Sequence, residues 1–189
     1  MSNLIDPARI VASGIHPVHL RDHVIRPVLT YLERKTGRTG WTGPAPERLL
    51  IGTALAESRG GHWLVQLGRG PARGIFQMEP ATHDDIWKNW LAFRPKEGEA
   101  VEDLRAVVVP TAHLKQDGAC QADEMVWNLA YAAALARIRY RRVPDALPSA
   151  NDLDGLGRYW KQHYNTPAGK GRAEEFTDLL RAAVDAFGV

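Results

Sequence analysis

Glu57 closes the stretch Ala54-Leu55-Ala56-Glu57-Ser58, and it is the residue best placed by type and spacing to do chemistry. An apolar setting disfavours the charged form of a carboxyl and keeps the acid neutral. A position in the last turn of a helix acts the same way, because the carbonyl end of the helix dipole repels negative charge. A carboxyl protonated near neutral pH can donate a proton to a leaving oxygen. That is the general acid needed to break a glycosidic bond. The competing reading is a surface glutamate that happens to follow alanine and leucine. Gln77, in Gly74-Ile75-Phe76-Gln77, carries an amide that can hold a sugar hydroxyl or carbonyl. Glu79, two residues on, could be a second carboxylate that lets water attack directly, or simply an acid at a helix start beside Pro80.

Other candidates have plainer explanations. His19 and His23 share the spacing of a metal pair, with His16 one turn earlier, but no third ligand follows. Asp84 and Asp85 fit a solvated first helical turn. Arg137, Arg139, Arg141 and Arg142 sit where cations favour a helix C-terminus, and no nucleic-acid motif accompanies them. Trp63, Trp87, Trp90 and Trp160 could stack on sugars or fill core and rim; Trp63, in the loop after Glu57, is the best placed for a ligand. Gly68-Arg69-Gly70 is no phosphate loop, since no Gly-Lys-Ser/Thr follows.

The elements that must position these residues are mostly helices. Leu20, Val24, Val28 and Leu32 give His19–Lys35 an apolar stripe, with a kink expected at Pro27. Pro44-Ala45-Pro46-Glu47 opens the next helix, with a proline and an acid in its first turn, and Gly60-Gly61 stops it. A loop or short hairpin is expected over 62–73. A third helix runs from Pro80 to about Trp90. Arg94 to Glu99 reads as a solvated loop, and Val107-Val108-Val109 as a short strand or buried turn. The spacing predicts one core-crossing helix from Asp123 to Arg142, then helices over 154–163 and 174–187.

With 189 residues, one domain with a real core is expected, residues 1–44 forming a helical extension. Apolar residues make up 44% and charged residues 24%, which fits a soluble globule. The net charge of +2 is too weak to imply nucleic acid but suits a polyanionic wall. Cys120 is alone, so the chain can form no internal disulfide and no cysteine zinc site. No apolar run is long enough to insert in a membrane. The first residues lack the basic start and apolar core of an export signal.

Taken in order, Glu57-Ser58, Gly74-Ile75-Phe76-Gln77 with Met78-Glu79-Pro80-Ala81-Thr82, Asn128-Leu129-Ala130-Tyr131-Ala132, and Tyr164-Asn165-Thr166-Pro167-Ala168-Gly169 resemble the motifs of the soluble lytic transglycosylases, a family of the lysozyme-like superfamily. They span roughly residues 45–172. The resemblance implies a mainly α, lysozyme-like single domain with a small loop or hairpin element after the catalytic helix. It implies cleavage of the β-1,4 bond between N-acetylmuramic acid and N-acetylglucosamine in peptidoglycan, with Glu57 as acid and then base. Gln77, Tyr164 and Asn165 would bind substrate, Ser58 would help orient Glu57 or bind substrate, and no cofactor or metal is called for. The expected partner is a glycan strand, and the expected state a monomer. A phage product fits, made in the host cytoplasm and delivered to the periplasm by a holin or carried in a virion. Two departures stand out: Glu79 replaces an apolar residue, and Thr166-Pro167-Ala168-Gly169 replaces Ala-Gly-Pro-Gly. Hydrolytic muramidase or chitinase-like activity, and a non-catalytic wall-binding or virion structural role, remain alternatives.

Overall fold

The computed structural model describes residues 6–106, 121–165 and 169–189. The expected strand or turn at Val107-Val108-Val109 lies outside them, as do Cys120 and Thr166-Pro167-Ala168. Within the described residues the chain is mainly helical and has no strand. Ten α-helices follow one another: α1 (Pro7–Val11), α2 (Pro17–Leu20), α3 (Arg26–Thr36), α4 (Pro44–Ser58), α5 (Pro80–Asn89), α6 (Pro95–Ala106), α7 (Glu124–Trp127), α8 (Leu129–Arg141), α9 (Leu153–Trp160) and α10 (Ala173–Phe187). No helix among them is long and apolar enough to cross a membrane.

Three sequence expectations change. First, α2 and α3 are joined by a wide π-turn at Arg21–Ile25. The irregularity precedes Pro27 because the proline ring crowds the carbonyl four residues back, and a wider turn makes room for it. Second, Arg94 to Glu99 is largely the start of α6 rather than a solvated loop. Glu97 is 2% exposed and pairs with Arg38 at 2.9 Å, while Ala100 and Val101 turn into the core. Third, the single helix expected over 123–142 is broken at Asn128 (φ −100°, ψ 88°). Its Oδ1 accepts from the Tyr131 N–H at 2.9 Å, so the asparagine caps α8. The expected loop or short hairpin over 62–73 is a loop, tied by two isolated antiparallel bridges, Val65 with Arg73 and Arg73 with Met78.

α8 runs through the middle, with Tyr131 to Ile138 buried without interruption, and it packs on α3, α4, α5 and α6. α10 packs on α1, α4 and α9. The close approach of α10 to α4 depends on Gly52: a Cβ there would sit 2.3 Å from the Phe176 ring. Residues 7–36 belong to the same core as the rest, through Leu20, Ile25, Leu29 and Leu32. The N-terminal helices therefore help to carry α4, whose C-terminal end holds Glu57.

Candidate active site

Everything about α4 delivers its last turn to one place. Leu49, Leu50, Ile51, Ala54 and Leu55 are buried, and Thr53 Oγ1 bonds Tyr140 OH at 2.7 Å. The helix ends where Arg59 (φ 52°) and Gly60 (φ 69°) turn left-handed. Ser58 then locks the end: its Oγ donates to Ile75 O at 2.6 Å and accepts from the Gly61 N–H at 2.8 Å. Ser58 has no exposure and does not reach the cavity, so the expected substrate contact is corrected to a structural tie. Hydroxyls that bridge two buried backbone groups are held in place by the cost of leaving either unpaired.

Glu57 opens onto a cavity of about 800 Å³, together with Trp63, Gln77, Glu79, Tyr164 and Asn165. Of the expected site residues, only Ser58 is missing from its walls. Desolvation pushes the Glu57 carboxyl from its ordinary 4.5 to about 7. Three groups oppose that rise: the Trp160 indole, the Arg139 charge and the Asn165 amide. Trp160 Nε1 donates to Glu57 Oε1 at 3.1 Å, and the indole is held by stacking on Phe176 with centroids 5.2 Å apart. Near neutral pH the carboxyl is thus divided between acid and carboxylate, the condition under which one group can give a proton and take one back.

Gln77 adopts a left-handed backbone (φ 46°), unusual for a residue with a side chain. Its Nε2 donates to Gly74 O at 2.8 Å, which fixes the amide at the cavity wall. Gly74 itself (φ 74°) admits no side chain, since a Cβ would lie 2.3 Å from Met125 O. Tyr164 is buried, and its OH donates to Phe76 O at 2.8 Å. Burial holds its phenol well above the usual range, so it stays neutral. Asn165 Oδ1 accepts from Lys161 Nζ at 2.9 Å, in the wide turn Lys161–Asn165 that extends α9. Glu79 is exposed and sits at the N-cap of α5, but its side chain makes no capping bond.

Arg139, which the sequence presents only as one of four cations at a helix C-terminus, belongs to the site. Its guanidinium lies over the Tyr164 ring, 4.3 Å from the centroid, donates to the carbonyls of His163 and Tyr164, and lines the cavity. The other cations of that helix end have separate tasks. Arg137 donates to Gly40 O at 2.7 Å and to Trp41 O at 3.2 Å, Arg141 covers the Trp41 ring, and Arg142 pairs with Asp85 at 2.7 Å. Of the two roles the sequence leaves open for Trp160, the structure shows the core one, and its indole N–H also donates to the acid.

The remaining candidates sit elsewhere. Asp84 contacts His83 at 2.8 Å, and Asp85 is held by Asn89 and Arg142. Trp87 donates to Tyr131 OH at 2.7 Å, and Trp90 lies under Arg94. His16 caps α2 and neighbours His19, which in turn neighbours His23; among the described residues no three-residue metal cluster occurs. No family model, no curated protein and no solved structure matches the chain.

Proposed function

We propose that this chain cleaves peptidoglycan between N-acetylmuramic acid and N-acetylglucosamine, as a lytic transglycosylase on a lysozyme-like helical scaffold. The observation that carries the reading is a carboxyl raised to about 7, opening onto a cavity of about 800 Å³ that is lined by amide, phenol and indole side chains. Protonated Glu57 gives its proton to the bridging oxygen as the C1–O bond breaks and positive charge develops at C1. The carboxylate left behind is stabilised by Trp160 Nε1–H and the Arg139 charge. It then takes the proton of the muramic acid 6-hydroxyl, whose oxygen closes on C1 to form the 1,6-anhydro ring. Gln77 and Asn165 offer amides to the sugar substituents, and Trp63 offers a ring face. On this reading the enzyme reaches the wall from a phage, released by a holin or carried in the virion.

Glu79 supports a second reading. It lines the same cavity and is free of any capping bond, so it could activate water in a two-acid hydrolase. Mass spectrometry of fragments from purified peptidoglycan separates the two. Anhydro ends that persist in Glu79→Gln support the one-acid mechanism. Reducing muramic ends that vanish with Glu79→Gln give the site to hydrolysis. Turnover of chitooligosaccharides with none of peptidoglycan moves the substrate to chitin, and glycan binding without any cleavage removes the activity altogether.

A further inference from the structure

Trp63 lines two cavities. The second, of about 550 Å³, lies where α1, α4 and α10 meet. Ile10, Leu55, Ala56 and Leu179 give it an apolar wall. Leu55, Ala56 and Arg59 share one flank of the α4 end, and Glu175, Asp178 and Leu179 one stripe of α10, so both helices turn a mixed face to the same space. Arg59 leaves α4 in its left-handed turn with its guanidinium 5.4 Å from the Trp63 ring centroid.

The charges are arranged unusually. Arg59 and Arg172 face this cavity with Asp6, Glu175 and Asp178, yet none of them forms an ion pair with another described residue. A purely anionic ligand would meet three carboxylates, and a purely cationic one two guanidiniums. A ligand with both signs at separate points, and small apolar groups between, pairs with everything the cavity presents. A short zwitterionic peptide has that chemistry.

We infer that the second cavity takes the amino-acid stem that branches from the muramic acid, with its carboxylates toward Arg59 and Arg172 and its free ammonium toward Glu175 and Asp178. The inference rests on the glycan reading of the first cavity, because Trp63 is then the partition a branched substrate straddles. The stem becomes an affinity determinant, and the cavity a selector for glycan that still bears peptide.

The test uses the whole chain and the free tripeptide alanyl-γ-glutamyl-diaminopimelate, with its amidated, N-acetylated form as the uncharged control. The tripeptide should shift the Trp63 indole and Leu179 methyl resonances, and the control should not. Arg172→Gln and Glu175→Gln, both at exposed positions, should each weaken that binding about fivefold, the scale of one exposed charge contact. In the same variants the ratio of cleavage of peptide-bearing to peptide-free glycan should fall by a similar factor. A Leu179 shift caused equally by the uncharged control, or by peptide-free glycan alone, overturns the proposal, as does an unchanged cleavage ratio. Tripeptide binding with no cleavage of either glycan sinks the enzyme reading and leaves the peptide site standing. Cleavage with no shift at Trp63 and Leu179 does the reverse.

Discussion

Replacing Glu57 with glutamine should destroy the activity and stabilise the fold, and the size of the gain should depend on pH. The carboxyl titrates at about 7 in the folded chain against an ordinary 4.5. Below pH 4.5 both folded and unfolded chains hold the proton, and the group has no net effect on stability. Between 4.5 and 7 the unfolded chain loses its proton first, so stability falls as pH rises. Above 7 both are ionised and the full penalty is present. A displacement of that size corresponds to about 3 kcal/mol. Partial exposure of the side chain screens it, and about 2 kcal/mol is the expected net. Glutamine never ionises, and its amide oxygen can still accept from Trp160 Nε1. Glu57→Gln should therefore match the wild type in thermal stability at pH 4 and exceed it at pH 8. For a chain of this length the gain is about 4–8 °C. Cleavage should fall by about 10²–10⁴, the contribution of a positioned general acid. Thermal unfolding at both pH values, with peptidoglycan turnover on the same samples, is the assay. An equal change in melting temperature at pH 4 and pH 8 would refute the claim that burial raises this carboxyl.

Three further substitutions test the surroundings of the acid. Trp160→Phe removes a donor that favours the carboxylate, so the alkaline limb of the pH–rate profile should move above its wild-type position near 7; a downward move contradicts the assigned bond. Ser58→Ala should lower stability by about 2 kcal/mol in urea unfolding, because Ile75 O and the Gly61 N–H lose a buried partner. Its KM for glycan should stay within about twofold, and a raised KM with unchanged stability would return Ser58 to the substrate subsites. Gly52→Ala drives a methyl into the Phe176 ring, 2.3 Å away, and should cost about 2 kcal/mol with the melting temperature falling accordingly.

How much of this was readable beforehand depends on how far along the chain each partner lies. Glu57 was legible because its apolar stripe, its place in the last turn and the stopping glycines are all local. The capping role of Asn128 was half legible: the asparagine stood before an alanine-rich run, yet the apolar pattern continued through it and hid the break. α6 is hidden in the sequence because Lys96, Glu97 and Glu99 look solvated, and only the arrival of Arg38 from the turn after α3 explains a buried Glu97. Arg139 was hidden among four cations at one helix end, and periodicity cannot say which one faces a cavity. Trp160 lies 103 residues from the carboxylate it bonds, and no spacing rule spans that distance.

The groups that act on Glu57 divide by origin, and the division has a consequence for the chemistry. Burial on α4 favours the acid. Every group that favours the carboxylate comes from the other part of the chain, Arg139 from α8 and Trp160 and Asn165 from α9 and its extension. The two parts are docked by Tyr164 OH on Phe76 O and Thr53 on Tyr140, bonds that neither part can make alone. Any separation of these surfaces would remove the carboxylate's partners while admitting water, and the balance near 7 would be lost. On the proposed reading Glu57 gives and recovers a proton only with these partners in place, and its acidity comes from the packing of α8 and α9 against α4 as much as from the helix that carries it.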